Sequence, residues 1–228
     1  MYSVVLLAGG KGSRMKNSIP KQYMLLAGKP VIMHTLERID TIDEISEVII
    51  VCAGEYTEQI KFMLSQYGIK KDVKYAEAGD SRQASVLSGL EQVSSEYVII
   101  HEAARPFVKK REFLDLIKYE KENAIIGSPI NYTVLRGKDK VEGIFNRSEL
   151  INVQLPQKFN TELLKNAHYS AKRDGKIFTE DASTVFYYFP DVDIDVIEGK
   201  DYNIKLTTPT DMLVGKIIYD EYFSGRKD

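Results

Sequence analysis

An α/β fold built on one doubly wound, mostly parallel sheet is what this sequence predicts, and three observations predict it. Short apolar runs rich in β-branched residues recur at 4–7, 48–52, 97–100 and 124–126. Stretches with apolar residues at three- and four-residue spacing separate them, at 31–39, 57–67, 82–93 and 111–121. A glycine-rich turn follows the first run at once, as where a buried strand opens toward a ligand. Strand and helix thus alternate, the pattern of parallel strands joined by crossover helices.

The runs hold few polar residues, as strands covered on both faces must. Pro30 and Pro106 stand where helices or turns begin. Over 131–155 the pattern changes: Gly137 and Gly143 interrupt short β-type pieces, charges are frequent and no helical period appears. An excursion from the sheet, a β-arm, is expected there. Helical periodicity returns at 161–173 and 181–188, followed by a strand at 192–197 and a final helix from 209 to about 223. With no internal repeat or low-complexity tract, the 228 residues are expected to form one domain. In such a sheet the ligand lies beyond the carboxyl ends of the strands, so the loops after strands matter most.

Composition narrows the function. Lys+Arg at 31 nearly balances Asp+Glu at 33, which gives no sign of a surface for nucleic acid. No apolar run approaches the ~18 residues of a membrane span. The early glycines interrupt any secretory signal, so a cytoplasmic location is expected. Cys52 is the single cysteine, which excludes an internal disulfide and suits a core position at the end of a strand.

The loop after the first strand reads Leu7-Ala8-Gly9-Gly10-Lys11-Gly12-Ser13-Arg14-Met15, with Pro20-Lys21-Gln22 shortly after. Glycines let backbone amides approach phosphate oxygens, and Arg14 and Lys21 would neutralise a triphosphate. No Gly-Lys-Ser/Thr closes the loop, so it is not a Walker A loop. Met15 stands where a dinucleotide fingerprint needs its third glycine, which argues against a nicotinamide-dependent oxidoreductase. A glycine turn alone is as readily a tight connection; the two cations favour phosphate. A charged pair such as Asp80 and Arg82 opening a helix is, by itself, commonly a cap and a surface cation.

Further blocks follow in order: Gly79-Asp80-Ser81-Arg82-Gln83-Ala84-Ser85-Val86, His101 to Pro106, Asn146-Arg147, Pro156-Gln157 and Asn203-Ile204-Lys205-Leu206-Thr207. With the first loop they resemble, over essentially the whole chain, the 2-C-methyl-D-erythritol 4-phosphate cytidylyltransferase family, which includes ribitol-5-phosphate cytidylyltransferases. The resemblance implies a Rossmann-like sheet of nucleotidyltransferase type. It implies transfer of the CMP part of CTP to a phosphorylated polyol, with release of pyrophosphate. By the same resemblance, 7–14 wraps the triphosphate, Arg14 and Lys21 stabilise charge on the reacting phosphates, and Arg82 belongs to the nucleotide side. Gly79, Asp80 and Ser85 lie near the cytosine, and Ala103 and Ala104 near the ribose. Arg147 and Lys205 hold the acceptor phosphate, with Glu102, Arg105 and Thr133 on the acceptor side. The arm is exchanged between subunits of a homodimer. Mg²⁺ or another divalent cation assists, with Glu102 as a candidate ligand.

The chemistry agrees with that inventory. A phosphate monoester has a second pKa near ~6, so the nucleophile is mostly dianionic at neutral pH and needs no general base. Cations and alignment must offset the repulsion between reactants. The scarcity of histidine (His34, His101 and His168) is then no obstacle, and each is expected to be structural. Three departures from the family fall on the acceptor side: Glu102 for aspartate, Tyr132 and Leu135 around the retained Thr133, and Leu155 for threonine. They leave an alditol phosphate such as ribitol phosphate open beside methylerythritol phosphate. They also leave open a nucleotide-binding protein without turnover.

Overall fold

The computed structural model describes residues 1–10, 12, 15 and 19–225. In chain order the elements begin with β1 (Tyr2–Leu7), a small hairpin of β2 (Leu25–Leu26) and β3 (Lys29–Pro30), and α1 (Val31–Asp40). Then come β4 (Ile45–Cys52), α2 (Thr57–Gln66), β5 (Asp72–Glu77), α3 (Arg82–Leu90), β6 (Tyr97–Glu102) and α4 (Lys110–Lys118). The second half runs β7 (Ala124–Pro129), β8 (Leu135–Gly137), β9 (Val141–Ile144), β10 (Ile151–Asn160), α5 (Thr161–Arg173), α6 (Asp181–Tyr188), β11 (Asp195–Glu198) and α7 (Pro209–Tyr222).

Seven strands form one sheet in the order β11-β7-β10-β6-β1-β4-β5. β10 runs antiparallel to both β6 and β7, and the other pairings are parallel. Strand direction alternates side chains between faces, so consecutive residues of β1 serve two different cores. Val4 and Leu6 pack with Ile32, Leu36, Ile60 and Phe113 from α1, α2 and α4. Val5 packs with Val86, Leu90, Leu164 and Val185 from α3, α5 and α6. From β1 the chain steps outward through β4 to β5, then returns to place β6 on the other side of β1. That reversal opens a crevice at the carboxyl ends of β1 and β6.

Several boundaries move from the sequence reading. The strands read at 4–7, 48–52, 97–100 and 124–126 are longer, the helices read at 82–93 and 111–121 end earlier, at Leu90 and Lys118, and the strand read at 192–197 lies at Asp195–Glu198. Besides the small β2–β3 hairpin, two strands of the main sheet went unread. β5 is a sheet edge, half-buried and carrying Asp72, Lys74 and Glu77, so it shows no apolar run. β10 contains Pro156, which argues against an interior strand; the register shift between Gln154 and Gln157 takes Pro156 out of the ladder, where its missing N–H costs nothing. The Leu155–Pro156 peptide is cis. Cys52 is buried at the end of β4, as expected.

Away from the crevice, two buried carboxylates serve the frame. Glu47 accepts from Ser3 Oγ at 2.5 Å and from Ser94 N at 2.9 Å, tying together the amino-terminal ends of the central strands. Glu112 closes the first turn of α4 by accepting from Lys109 N at 2.7 Å, but its Oε1 is buried without a partner. Burial pushes the Glu112 carboxyl up from 4.5 to about 7. The folded state therefore holds this proton more tightly, and its contribution is complete below pH 4.5 and lost as the pH rises through 7. Glu112→Gln keeps the acceptor for Lys109 and removes the titration. Its stability relative to the parent should rise by ~1–3 kcal/mol between pH 4.5 and 8 in urea unfolding. A pH-independent difference would contradict this.

Candidate active site

The first loop leaves β1 at Leu7, and Ala8 N donates to Val51 O at 2.7 Å. A Cβ on Gly9 would run into the Cβ of Ala78, so only glycine lets this loop lie against the one after β5. Gln22, on the short 3-10 turn Lys21–Tyr23, donates through Nε2 to Ala8 O at 2.5 Å and to Gly10 O at 3.1 Å. Two carbonyls that would repel a phosphate are thereby satisfied from the protein side. Lys21 begins the same turn and is buried, with its backbone N 3.5 Å from where a Cβ on Gly12 would sit. Gly12 has φ +62°, a conformation that favours glycine. Lys11, Ser13 and Arg14, expected to contact phosphate, lie outside the described residues.

The loop after β5 is held just as tightly. Ser81, not Asp80, caps α3, accepting from Ala84 N at 3.0 Å. Ser85 Oγ donates to Ser81 O at 2.9 Å and accepts from Gly79 N at 3.1 Å, so its hydroxyl braces the loop. A Cβ on Gly79 would meet Ala84 Cβ at 2.5 Å. Asp80 itself is exposed and opens, with Ser81, into a groove of about 730 Å³ between α3 and α5. Neither Glu102 nor Lys205 lines that groove, and the chemistry is better located by the cations.

Those cations converge at the end of β6. Glu102 Oε1 lies 3.2 Å from Arg82 Nε, and Oε2 lies 2.7 Å from Lys205 Nζ and 3.8 Å from Arg105 Nε. Burial alone would raise the Glu102 carboxyl; Lys205 and Arg82 outweigh it and bring it down to about 2. Arg82 is therefore not the surface cation that a helix-opening arginine usually is. Its Nη2 reaches Asp181 Oδ2 at 2.6 Å, and Asp181 Oδ1 accepts from His168 Nε2 at 3.0 Å. Ala103 and Ala104 follow Glu102 and are buried, with Ala103 N donating to Leu7 O at 3.0 Å.

The segment carrying Lys205 is docked by three hydrogen bonds. Asn203 Nδ2 donates to Leu155 O at 2.7 Å, Arg105 Nη1 donates to Asn203 O at 3.0 Å, and Leu206 N donates to Ala104 O at 2.8 Å. His101 is fully buried, with Nε2 3.2 Å from Arg105 O, and burial pushes it down to about 3, so it is a neutral support for that turn. His34 similarly meets Leu26 O at 2.9 Å.

Thr133 and Arg147 are not gathered into this cluster within the chain. Both are exposed on the arm, and Arg147 Nη1 donates to Asn131 O at 3.2 Å. Sequence reasoning assigned no role to Gln22, Asn203 or Asp181, and expected His168 only to be structural. Gln22 and Asn203 stand inside blocks already noticed, whereas Asp181 is 99 residues from the arginine it holds and gave no signal. Among the described residues no group of three acidic, histidine or cysteine side chains could hold a metal. Glu102 is already ringed by three cations, so it does not fit a magnesium ligand, and a divalent ion would have to be carried by phosphate oxygens.

Comparison with known proteins gives the family. The sequence model of the IspD family, 2-C-methyl-D-erythritol 4-phosphate cytidylyltransferase, matches residues 2–221. A curated relative of that name from Bacillus cytotoxicus is 37% identical over 221 residues, covering 95% of this chain and 96% of its own length. Another of that name from Aquifex aeolicus is 34% identical, covering 96% and 98%. The crystal structure of 4-diphosphocytidyl-2C-methyl-D-erythritol synthase from Anaerococcus prevotii superposes with TM-score 0.85 at 27% identity, covering 96% of each chain. That of 2-C-methyl-D-erythritol 4-phosphate cytidylyltransferase from Thermus thermophilus gives 0.75 at 25%, covering 96% and 100%. With glycine loops at a sheet's switch point, a buried knot of cations beside them and a match along nearly the whole length, the chain belongs to the 2-C-methyl-D-erythritol 4-phosphate cytidylyltransferase family and is a nucleotidyltransferase.

Proposed function

We propose that the chain joins the CMP part of CTP to 2-C-methyl-D-erythritol 4-phosphate, giving the CDP-linked polyol and pyrophosphate. The observation that carries this reading is the convergence of Arg82, Arg105 and Lys205 on buried Glu102, beside the loop that leaves β1. An oxygen of the acceptor phosphate forms a bond to the α-phosphorus, and the bond to the pyrophosphate oxygen breaks with its electron pair. The dianionic nucleophile has no proton to lose. What the protein supplies is charge and alignment.

In this reading the loop 7–14, with Arg14 and Lys21, takes the triphosphate. Gly79, Asp80 and Ser85 bound the base, and Ala103 and Ala104 the ribose. Lys205 and Arg105 receive the acceptor phosphate, joined by Thr133 and Arg147. A divalent cation on the triphosphate oxygens would add neutralising charge. The whole chain acts as one domain, and the arm at 131–155 packs on a second copy, where Arg147 serves the neighbouring site. The exposed apolar side chains of Tyr132, Val141, Ile144 and Phe145 on that arm support such packing. A reducing cytoplasm suits the free thiol of Cys52. No helix among the described residues is long and apolar enough to cross a membrane.

An alditol phosphate acceptor is the second reading, motivated by the three departures on the acceptor side. The Leu155 side chain is 2% exposed and its carbonyl is held by Asn203, so this departure faces the core. Pyrophosphate release with CTP and Mg²⁺ across phosphorylated polyols decides the matter. Methylerythritol phosphate should exceed ribitol and glycerol phosphates by ~10²-fold or more, the scale expected where acceptor hydroxyls are individually recognised. Preference for an alditol phosphate would install the second reading, and CTP binding without release from any acceptor would mark a binding protein.

A further inference from the structure

Behind the acceptor side lies a chain of buried charge that the reaction does not itself require. It runs from His168 on α5 to Asp181 at the start of α6, then to Arg82 at the start of α3, Glu102 at the end of β6 and finally Lys205. Each link is within 3.2 Å. Asp181 and His168 are almost wholly buried, Glu102 nearly so, while Lys205 retains a third of its side-chain exposure. Arg82 is partly exposed between its two buried carboxylates, and Lys205 is the most exposed member of the chain. Lys205 is the member that the proposed function assigns to the acceptor phosphate.

An arginine in the first turn of a helix is opposed by the helix dipole, and a half-buried guanidinium needs carboxylate partners to stay put. Arg82 has two. The Asp181 carboxylate takes Nη2, leaving Nε to hold Glu102 Oε1, and the other Glu102 oxygen faces Lys205. Were Asp181 neutral, Arg82 would keep Glu102 as its one directly bonded carboxylate, with Glu180 acting on it only through space. Arg82 would then compete with Lys205 for the carboxylate that fixes the ammonium. Burial pushes the Asp181 carboxyl up, yet Arg82 and His168 outweigh it and hold it well below the usual range, so the anion is present at neutral pH.

We propose that Asp181, braced by His168, is a positioning residue for the acceptor end of the site: by fixing Arg82 it sets where Glu102 holds Lys205. This rests on the reading of Lys205 as an acceptor-phosphate ligand. Asp181 touches no substrate and acts through two intervening side chains. The loops that take the nucleotide phosphates are anchored separately, by Gln22 and by the contacts of β1 with β4.

The test is steady-state kinetics of Asp181→Asn, which preserves shape and removes the charge. The KM for the acceptor should rise about fivefold to tenfold and the KM for CTP should stay within about twofold, an effect of one buried charge on one substrate. In a Lys205→Ala background the Asp181→Asn change should alter the acceptor KM less than twofold, because both act on one chain. A stability role alone would lower the melting temperature and leave the KM values alone; unchanged or equally raised KM values in folded Asp181→Asn overturn the proposal. So does full additivity with Lys205→Ala. If Asp181→Asn does not fold, His168→Leu carries the test: it removes only the second donor and should give the same split at about threefold, an unchanged acceptor KM counting against the proposal. Failure of the functional reading would look different, since the parent protein would then release no pyrophosphate with methylerythritol phosphate.

Discussion

Lys21→Ala is expected to lower kcat/KM for pyrophosphate release by ~10²–10³, the usual effect of removing one preorganised charge contact from a transition state. Lys21 is buried on a turn whose neighbour Gln22 clamps the Ala8 and Gly10 carbonyls, so the cation and the glycine loop are positioned by one device. Charge delivered from such a fixed turn needs little reorganisation when negative charge builds on the leaving phosphates. Because that charge grows only as the bond breaks, most of the loss should fall on kcat rather than on KM for CTP. Activity within tenfold of the parent would show that the reacting phosphates are neutralised elsewhere.

Glu102→Ala should be the most destabilising single change at the site. It leaves Arg82, Arg105 and Lys205 facing one another without their common counter-ion. Removing one partner from a buried ion pair typically costs ~3–5 kcal/mol, since the remaining charge is stranded. In a domain of this size each kcal/mol moves the melting temperature by ~2–4 °C. A fall of roughly ten degrees or more is therefore expected by circular dichroism, and a fall under about three degrees would contradict the central place given to this carboxylate. The parent should show the same dependence on pH. The folded-state value of Glu102 is depressed from 4.5 to about 2, so its contribution is complete above pH 4.5 and is lost as the pH falls through 2. Asp181, also depressed, acts in the same direction. Glu102→Ala should flatten part of that acid-side decline.

Much of the fold is legible in the chain because its central strands are covered on both faces. β1, β4, β6 and β7 show as apolar runs for that reason, and α5 and α6 show their limits through regular apolar spacing. β5 escapes notice because an edge strand with half-buried positions need not be apolar. β10 escapes because Pro156 hides a strand that is interrupted at that very point. At the site, glycines and cations clustered after the first strand single out Gly9, Gly12 and Lys21, whereas Glu102 and Lys205 are reached only through the family resemblance of their blocks. The partners that hold them do not stand out, because a hydrogen bond between distant elements leaves no periodicity behind. Asp80 and Ser81 illustrate the limit locally: both residue types cap helices, and only backbone geometry shows that Ser81 does.

The sequence by itself determined an alternating α/β sheet, glycine loops at its carboxyl edge and a set of cations suited to phosphates. These follow from residue type and spacing, which act over a few neighbouring positions. The tertiary structure decided that Arg82 faces inward to two carboxylates, that Asn203 and Arg105 dock the Lys205 segment, and that Asp181 stands behind them all. Long-range ion pairs are settled by where packed elements bring their ends together, and folding alone fixes that.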